Sequence, residues 1–354
     1  MRTKTRLCLL AALPALAVVS TACHGKDGDD PTVYVTGQDG NWATLWKNGA
    51  VAYQSYSKWA GFESVFVAGD DVYIAGADSN DYERDHATIW KNGVATRLSD
   101  LHSVANSVHV SDGNVYIAGT VVDADAEDSI YQYRRYATLW VNGVATRLNG
   151  STDSYGESVY VHGGDVYVAG TVDNGAYPYF GNAYRATFWK NGEATRLSDY
   201  LTVANSVHVS DGDVYVAGSD PFGACLWKNG DATYLFDDSP DAVFTKKYSG
   251  YSVFVSGGDA YVAGIEFAPN NIGNRGMVWK NGALLRFGSD YASAWSVFVS
   301  GSGVYIAGQE SVNGTNRPTL WMTNPLLKGV TTTHYAVDPN SFRSGGGANS
   351  VFVK

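Results

Sequence analysis

Cysteine is scarce: Cys8, Cys23 and Cys225 are the three in 354 residues. Cys8 falls in an N-terminal apolar run and Cys23 just after it, so Cys225 stands alone and no intramolecular disulfide is available, even in an oxidising compartment. Its strand position carries Thr in other repeats, which marks it as a small buried residue. Beyond Val19 no apolar run is long enough to cross a bilayer. Basic residues are also in the minority. Residues 1–22 contain Arg2, Lys4 and Arg6 and no acid, and after them 22 Lys and Arg face 35 Asp and Glu. A nucleic-acid partner would need a basic face, so it is excluded. The seven His show no metal-ligand spacing, and there is no nucleophile elbow, P-loop or dinucleotide fingerprint. Acidic turns such as Asp211-Gly212-Asp213 lack the ligand count of a calcium loop. No metal or cofactor is expected. His109 and His208 sit where other repeats have Phe or Tyr and read as satisfied packing residues.

Residues 1–22 have the layout of a secretion signal: Arg2, Lys4 and Arg6, then the apolar run Leu7–Val19. Ser20-Thr21-Ala22-Cys23 is similar to a bacterial lipobox, with Ser20 where Leu is usual. The expectation is lipidation at Cys23, with ordinary cleavage after Ala22 as the alternative. The acidic stretch 23–31 then reads as a tether and 32–354 as the folded domain.

What dominates the sequence is a unit of about 45 residues written seven times. Val-Tyr-Val/Ile-x-Gly begins at Val33, Val72, Val115, Val166, Val214 and Val304, with a variant at Ala260. Ser-Val-x-Val begins at Ser64, Ser107, Ser158, Ser206, Ser252, Ser296 and Ser350. Within 107–148 the unit reads as strand A (107–110), strand B (115–119), strand C (137–141) and strand D (144–148). Asn142-Gly143 between C and D is a strong hairpin signal. Four antiparallel strands per repeat and no helix signal predict an all-β, seven-bladed β-propeller. Small Ser residues place strand A innermost. Arg97, Arg147, Arg196 and Arg286 place strand D on the outer edge, where charge discourages further pairing. Trp46, Trp90, Trp140, Trp189, Trp227, Trp279 and Trp321 read as packing between blades. The chain enters on a B strand and stops after an A strand, so the expectation is a ring clasped by pairing of residues 350–353 with 33–37.

Loop spacing separates two faces. The A–B step is constant and the C–D turn is Asn-Gly in six of seven repeats, whereas the B–C and D–A connections vary. All length variation is therefore expected on one face, where binding residues concentrate. Two candidate sites follow. Residues 120–136 and 171–185, on adjacent blades, supply Tyr131, Tyr133, Arg134, Arg135, Tyr177, Tyr179, Phe180, Tyr184 and Arg185, a mixture suited to a sugar or peptide unless these loops only pack on each other. The residue before each strand A Ser should ring the axis: Glu63, Asn106, Glu157, Asn205, Tyr251, Trp295 and Asn349. Such a ring could hold a ligand or a cation, or simply line a solvated pore. Glu63 with Glu157, or Asp125 with Glu127, are the carboxylate pairs a glycosidase or lyase would draw on.

Ala-Thr-Leu-Trp-Lys-Asn-Gly at 43–49, Ala-Thr-Arg-Leu at 95–98 and 145–148, and Ala-Asn-Ser-Val at 105–108 and 204–207 carry a likeness. Residues 33–354 resemble secreted repeat β-propeller lipoproteins of Bacteroidetes and, more distantly, bacterial HAF-type extracellular repeats. The resemblance implies a propeller at the cell envelope and no activity, because the shared residues are scaffold. Together these readings anticipate a monomeric outer-membrane lipoprotein, periplasmic or surface-exposed, that touches the membrane only through its lipid. It would be a non-catalytic binding module presenting its variable face to a glycan or protein. The alternatives are a carbohydrate-active enzyme using carboxylates on that face, or an outer-membrane assembly protein.

Overall fold

The computed structural model describes residues 31–354 except 56, 58–59, 80–84, 124–133, 151–152, 174–183, 200, 237–246, 268–272, 287–288, 325–328 and 336–345. Thr32–Lys354 forms one compact unit of seven four-stranded antiparallel sheets, each ordered A-B-C-D. Blade 1 combines the C-terminal strand Gly347–Val353 with Val33–Asp39, Trp42–Lys47 and Ala50–Gln54. The A strands of blades 2 to 7 are Gly61–Ala68, Ser103–Ser111, Ser154–His162, Val203–Ser210, Lys247–Ser256 and Ala292–Ser300.

The clasp is as the two chain ends require. Val33 pairs with Val353 and Gln38 with Gly347, and Thr32 and Lys354 exchange both backbone hydrogen bonds at 2.9 Å. Strand A is innermost, and the first Ser of each Ser-Val-x-Val does more than save space. The N–H of the following Val in each blade donates to the Ser Oγ of the blade before it, at 3.1–3.3 Å, and the seven bonds close the circle through Val65 to Ser350 and Val351 to Ser296. An inner-edge N–H with no further strand to bond is satisfied this way.

Two residues on, the variable position of the same motif forms a second circle. Phe66, His109, Tyr160, His208, Phe254, Phe298 and Phe352 each touch the next, with ring centroids 4.3–5.0 Å apart, and Phe352 returns to Phe66. Aromatic contacts of this kind add about 0.5–1.5 kcal/mol each beyond area burial. His109 and His208 are therefore packing residues, as expected. They are not both satisfied, however: His208 Nδ1 is buried with no hydrogen-bond partner. Burial holds the His109 imidazole down at about 4 and that of His208 at about 3, so both are neutral at pH 7.

The seven repeat Trp are 0–2% exposed, each in a core cluster that joins two adjacent blades, so they pack between blades as expected. Cys225 is fully buried and unbridged. The glycine of Val-Tyr-Val-x-Gly has a steric cause. At Gly37, Gly76, Gly119, Gly170, Gly218, Gly264 and Gly308 a Cβ would collide with a strand A carbonyl oxygen of the same blade. The Asn-Gly turns adopt positive φ at both residues, 49–52° for Asn and 81–95° for Gly, which matches the twist of a tight hairpin. The Asn side chain also ties the turn to strand B. Its Oδ1 accepts from the N–H of the residue that opens the Val-Tyr-Val/Ile-x-Gly motif at 2.8–2.9 Å in blades 1 to 6.

Two expectations need correction. Strands extend further toward the variable face than the motif suggested: in blade 3 strand A is Ser103–Ser111, strand B Asn114–Asp123 and strand C Arg134–Val141. Residues outside the shared motif continue the ladder because their backbones still find partners. Length variation is also not confined to one face. In blade 7 strands C and D, Thr315–Asn324 and Gly329–His334, are joined by the four residues 325–328. Pro325 cannot take the positive φ that the glycine of the other turns adopts.

Candidate functional site

The axial residues owe their position to a backbone irregularity repeated in every blade. The A–B register slips between Phe62 and Ser64, Ala105 and Ser107, Gly156 and Ser158, Ala204 and Ser206, Gly250 and Ser252, and Ala294 and Ser296. In blade 1 the same slip skips Asn349. The skipped residue is the extra one of a β-bulge, which re-aims its side chain out of the ladder. Strand A enters from the variable face, so the seven bulges lie at that end. Their side chains, Glu63, Asn106, Glu157, Asn205, Tyr251, Trp295 and Asn349, together line one cavity of about 420 Å³. The whole axial set named from the sequence is thus brought together.

Around this circle the residues fall into two arcs. Asn349, Glu63, Asn106, Glu157 and Asn205 form a polar arc. Asn349 Nδ2 donates to Phe62 O and Glu63 Oε2, both at 3.1 Å. Asn106 Nδ2 donates to Gly156 O at 2.8 Å and Glu157 Oε2 at 3.2 Å. Asn205 Nδ2 donates to Gly250 O at 2.8 Å. Each amide therefore bridges to the next blade, and since all its partners are acceptors the orientation of the amide is fixed. The remaining arc is Tyr251 and Trp295. The Trp295 indole occupies space left by Gly347, where a Cβ would meet its ring carbons.

The electrostatics are those of enclosed acids. Burial raises both carboxyls, and for Glu157 the charge of Glu63 adds to it, bringing it to about 7. Two like charges sharing a cavity resist simultaneous ionisation. Burial also raises the Tyr251 hydroxyl. No group of three or more His, Cys, Asp or Glu suited to a metal ion occurs among the described residues.

The second candidate is reached only at its base. Tyr131, Tyr133, Tyr177, Tyr179 and Phe180 lie outside the described residues, as do Asp125, Glu127 and Cys23. Arg134 is exposed where strand C of blade 3 begins. Arg135 pairs with Asp153 at 3.5 Å and lies over the Tyr155 ring at 5.9 Å. Tyr155 meets the edge of Tyr184 at 5.7 Å, and Arg185 Nη1 donates to Tyr184 O at 3.4 Å. The bases of the two loops are joined across blades 3 and 4 through Tyr155, which Arg135 approaches from one loop and Tyr184 from the other. These residues do not line the axial cavity. Sequence reasoning missed Tyr155, which links them; its place beside the loops after folding, not its spacing, gives it that role.

No protein-family model and no curated protein matches this sequence. Solved structures share its fold. A puromycin-hydrolysing peptidase from Mycobacterium tuberculosis matches at 11% identity and TM-score 0.53, over 84% of this chain and 50% of that one. Pyrococcus horikoshii acylaminoacyl peptidase matches at 13% and 0.52, over 86% and 51%. This chain thus spans about half the length of those peptidases. The β-propeller domain of the trilobed protease from Pyrococcus furiosus matches at 11% and 0.53, over 89% and 96%, and is described as having an open velcro topology. In the present chain the ring is closed by strand pairing. At such identities the likeness is one of fold alone.

Proposed function

We propose that this propeller is a binding module whose ligand, a saccharide, seats in the axial cavity of the variable face. The reading rests chiefly on the convergence of seven bulge residues on one cavity with an aromatic arc and an amide–carboxyl arc. Aromatic rings cover the apolar face of a sugar while amides and carboxyls fix its hydroxyls. A cavity of about 420 Å³ is within the usual size of small-ligand sites. Display from the cell envelope through Cys23 is part of the proposal and rests on the N-terminal sequence. The test is a glycan array probed with the protein and with Trp295→Ala. At least a tenfold loss of any positive signal, at unchanged melting temperature, is expected; equal signals from the two would overturn the placement.

One observation favours a second reading, glycoside cleavage. Glu157 keeps its proton to about 7 beside Glu63, as a general acid beside a carboxylate would. If array-positive glycans release reducing ends, and Glu157→Gln stops the release without stopping binding, the enzyme reading replaces the first.

A further inference from the structure

The donors and acceptors of the axial cavity are out of balance. Both N–H groups of Asn106 and of Asn349 are engaged by neighbouring carbonyls and carboxyls, as is one of Asn205. The amide oxygens of all three take no hydrogen bond from the described residues. Each Glu has its Oε2 bound by an Asn, while Oε1 of Glu63 and of Glu157 takes none from them. The lining therefore presents five unused acceptor atoms on its polar arc. Against these stand few donors: the Trp295 indole N–H, the Tyr251 hydroxyl, which is hydrogen-bonded to Ser249, one N–H of Asn205 and, while it keeps its proton, the Glu157 carboxyl. Among the described residues no Lys, Arg or His lines the cavity. The nearest imidazoles on the axis, His109 and His208, belong to the aromatic circle and are uncharged at neutral pH.

An occupant that satisfies this surface must bring donors and positive charge and must tolerate π faces. A hydroxyl brings one donor with two acceptors of its own. A protonated primary amine brings three donors, no acceptor and a full charge. It also gains from aromatic faces, and the more so as it is desolvated. Trp295 and Tyr251 are neighbours on the circle, across from Glu63 and Glu157, so one ammonium-bearing ligand can meet both. We infer that the axial cavity selects saccharides carrying a protonated amine, that is amino sugars, over neutral sugars of the same size. This inference rests on the saccharide reading above and names its ligand class. Binding of the cation favours the ionised carboxyl pair, so the proton that Glu157 holds near neutral pH is released on binding.

The test is calorimetric titration of the full chain with three tetrasaccharides at neutral pH: β-1,4-linked glucosamine, its N-acetylated counterpart and its glucose counterpart. The glucosamine oligomer is expected to bind at least tenfold tighter than either neutral one. Repeating the titration at pH 6, where the sugar amine arrives protonated and Glu157 still holds most of its proton, in buffers of different ionisation enthalpy should show release of about one proton per site. The Glu63→Gln, Glu157→Gln double variant should lose both the preference and the proton release. These substitutions remove enclosed like charges, so the variant is expected to fold, and its melting curve checks this. Neutral tetrasaccharides bound as tightly as the amine, with loss in Trp295→Ala, would sink the amine inference and leave the saccharide reading standing. Binding to none of the three would sink both.

Discussion

Two circles of side chains surround the same axis on the same seven strands, three residues apart. At the bulge the residues are Glu63, Asn106, Glu157, Asn205, Tyr251, Trp295 and Asn349. Below it they are Phe, His or Tyr at every position, each in ring contact with two others. The deeper circle is constrained by packing, because every member must match its neighbours in size and flatness. The bulge circle is outside the pairing register and faces open volume, so acids, amides and aromatics are all accommodated. Scaffold and variability are separated within one strand by a single extra residue. The circles also respond to pH in opposite senses: the upper holds carboxyls whose proton affinity is raised, the lower holds imidazoles whose proton affinity is lowered.

Five experiments probe this contrast between the circles. Deleting Ala348–Lys354 removes a member from both circles, the Ser350 link and the pairing with Val33–Asp39. The expected result is loss of folding or a fall in melting temperature of tens of degrees; a truncated chain that melts like the intact one would mean that the ring does not depend on its clasp. Gly170→Ala forces a Cβ against the Tyr155 carbonyl at a bulge. Chemical denaturation should show a loss of about 3 kcal/mol or more, among the larger single-residue effects. A loss no greater than that of a surface substitution would show that the bulge relaxes freely.

Glu157→Gln addresses the upper circle. Its carboxyl rises from an ordinary 4.5 to about 7 on folding, so ionisation opposes the folded state. The penalty is absent below 4.5, grows as pH rises to about 7, and is constant above. The variant should therefore be more stable than the parent by up to about 3 kcal/mol at pH 8 and equal to it at pH 4. His208→Phe addresses the lower circle. Its imidazole falls from 6.5 to about 3, so its contribution is complete above 6.5 and is lost as pH falls toward 3. Against the parent, the variant should gain about 2–3 kcal/mol at pH 4 relative to its difference at pH 8. Parallel pH profiles for parent and variant, in either case, would remove the opposition between the circles. Ser158→Ala should have the smallest effect. It removes the acceptor for Val207 N–H, at about 1–2 kcal/mol in urea denaturation.

Much of this was legible in the chain. Seven copies of two short motifs at fixed spacing gave the blade count, and a B strand at one end with an A strand at the other gave the clasp. The residue before each Ser was legible as axial, since Ser begins the innermost strand. The Ser-to-Val hydrogen bonds were not, because their partners lie 44–55 residues apart in the consecutive repeats and 285 apart at the clasp. The aromatic circle left a trace in the seven flat residues of Ser-Val-x-Val, but a trace cannot separate contact around an axis from contact within a blade. Asn106 with Glu157 and Asn349 with Glu63 give no local signal at all, because each pair joins separate blades.

The repeating strand pattern, the turns and the glycines follow from steric rules acting within some 45 residues, so they are written in the chain itself. Which seven side chains share a cavity, which carboxyls repel and which donors are already taken depend on the closed ring. Those are distances across an axis, and they exist only once the first blade has been completed by both ends of the chain.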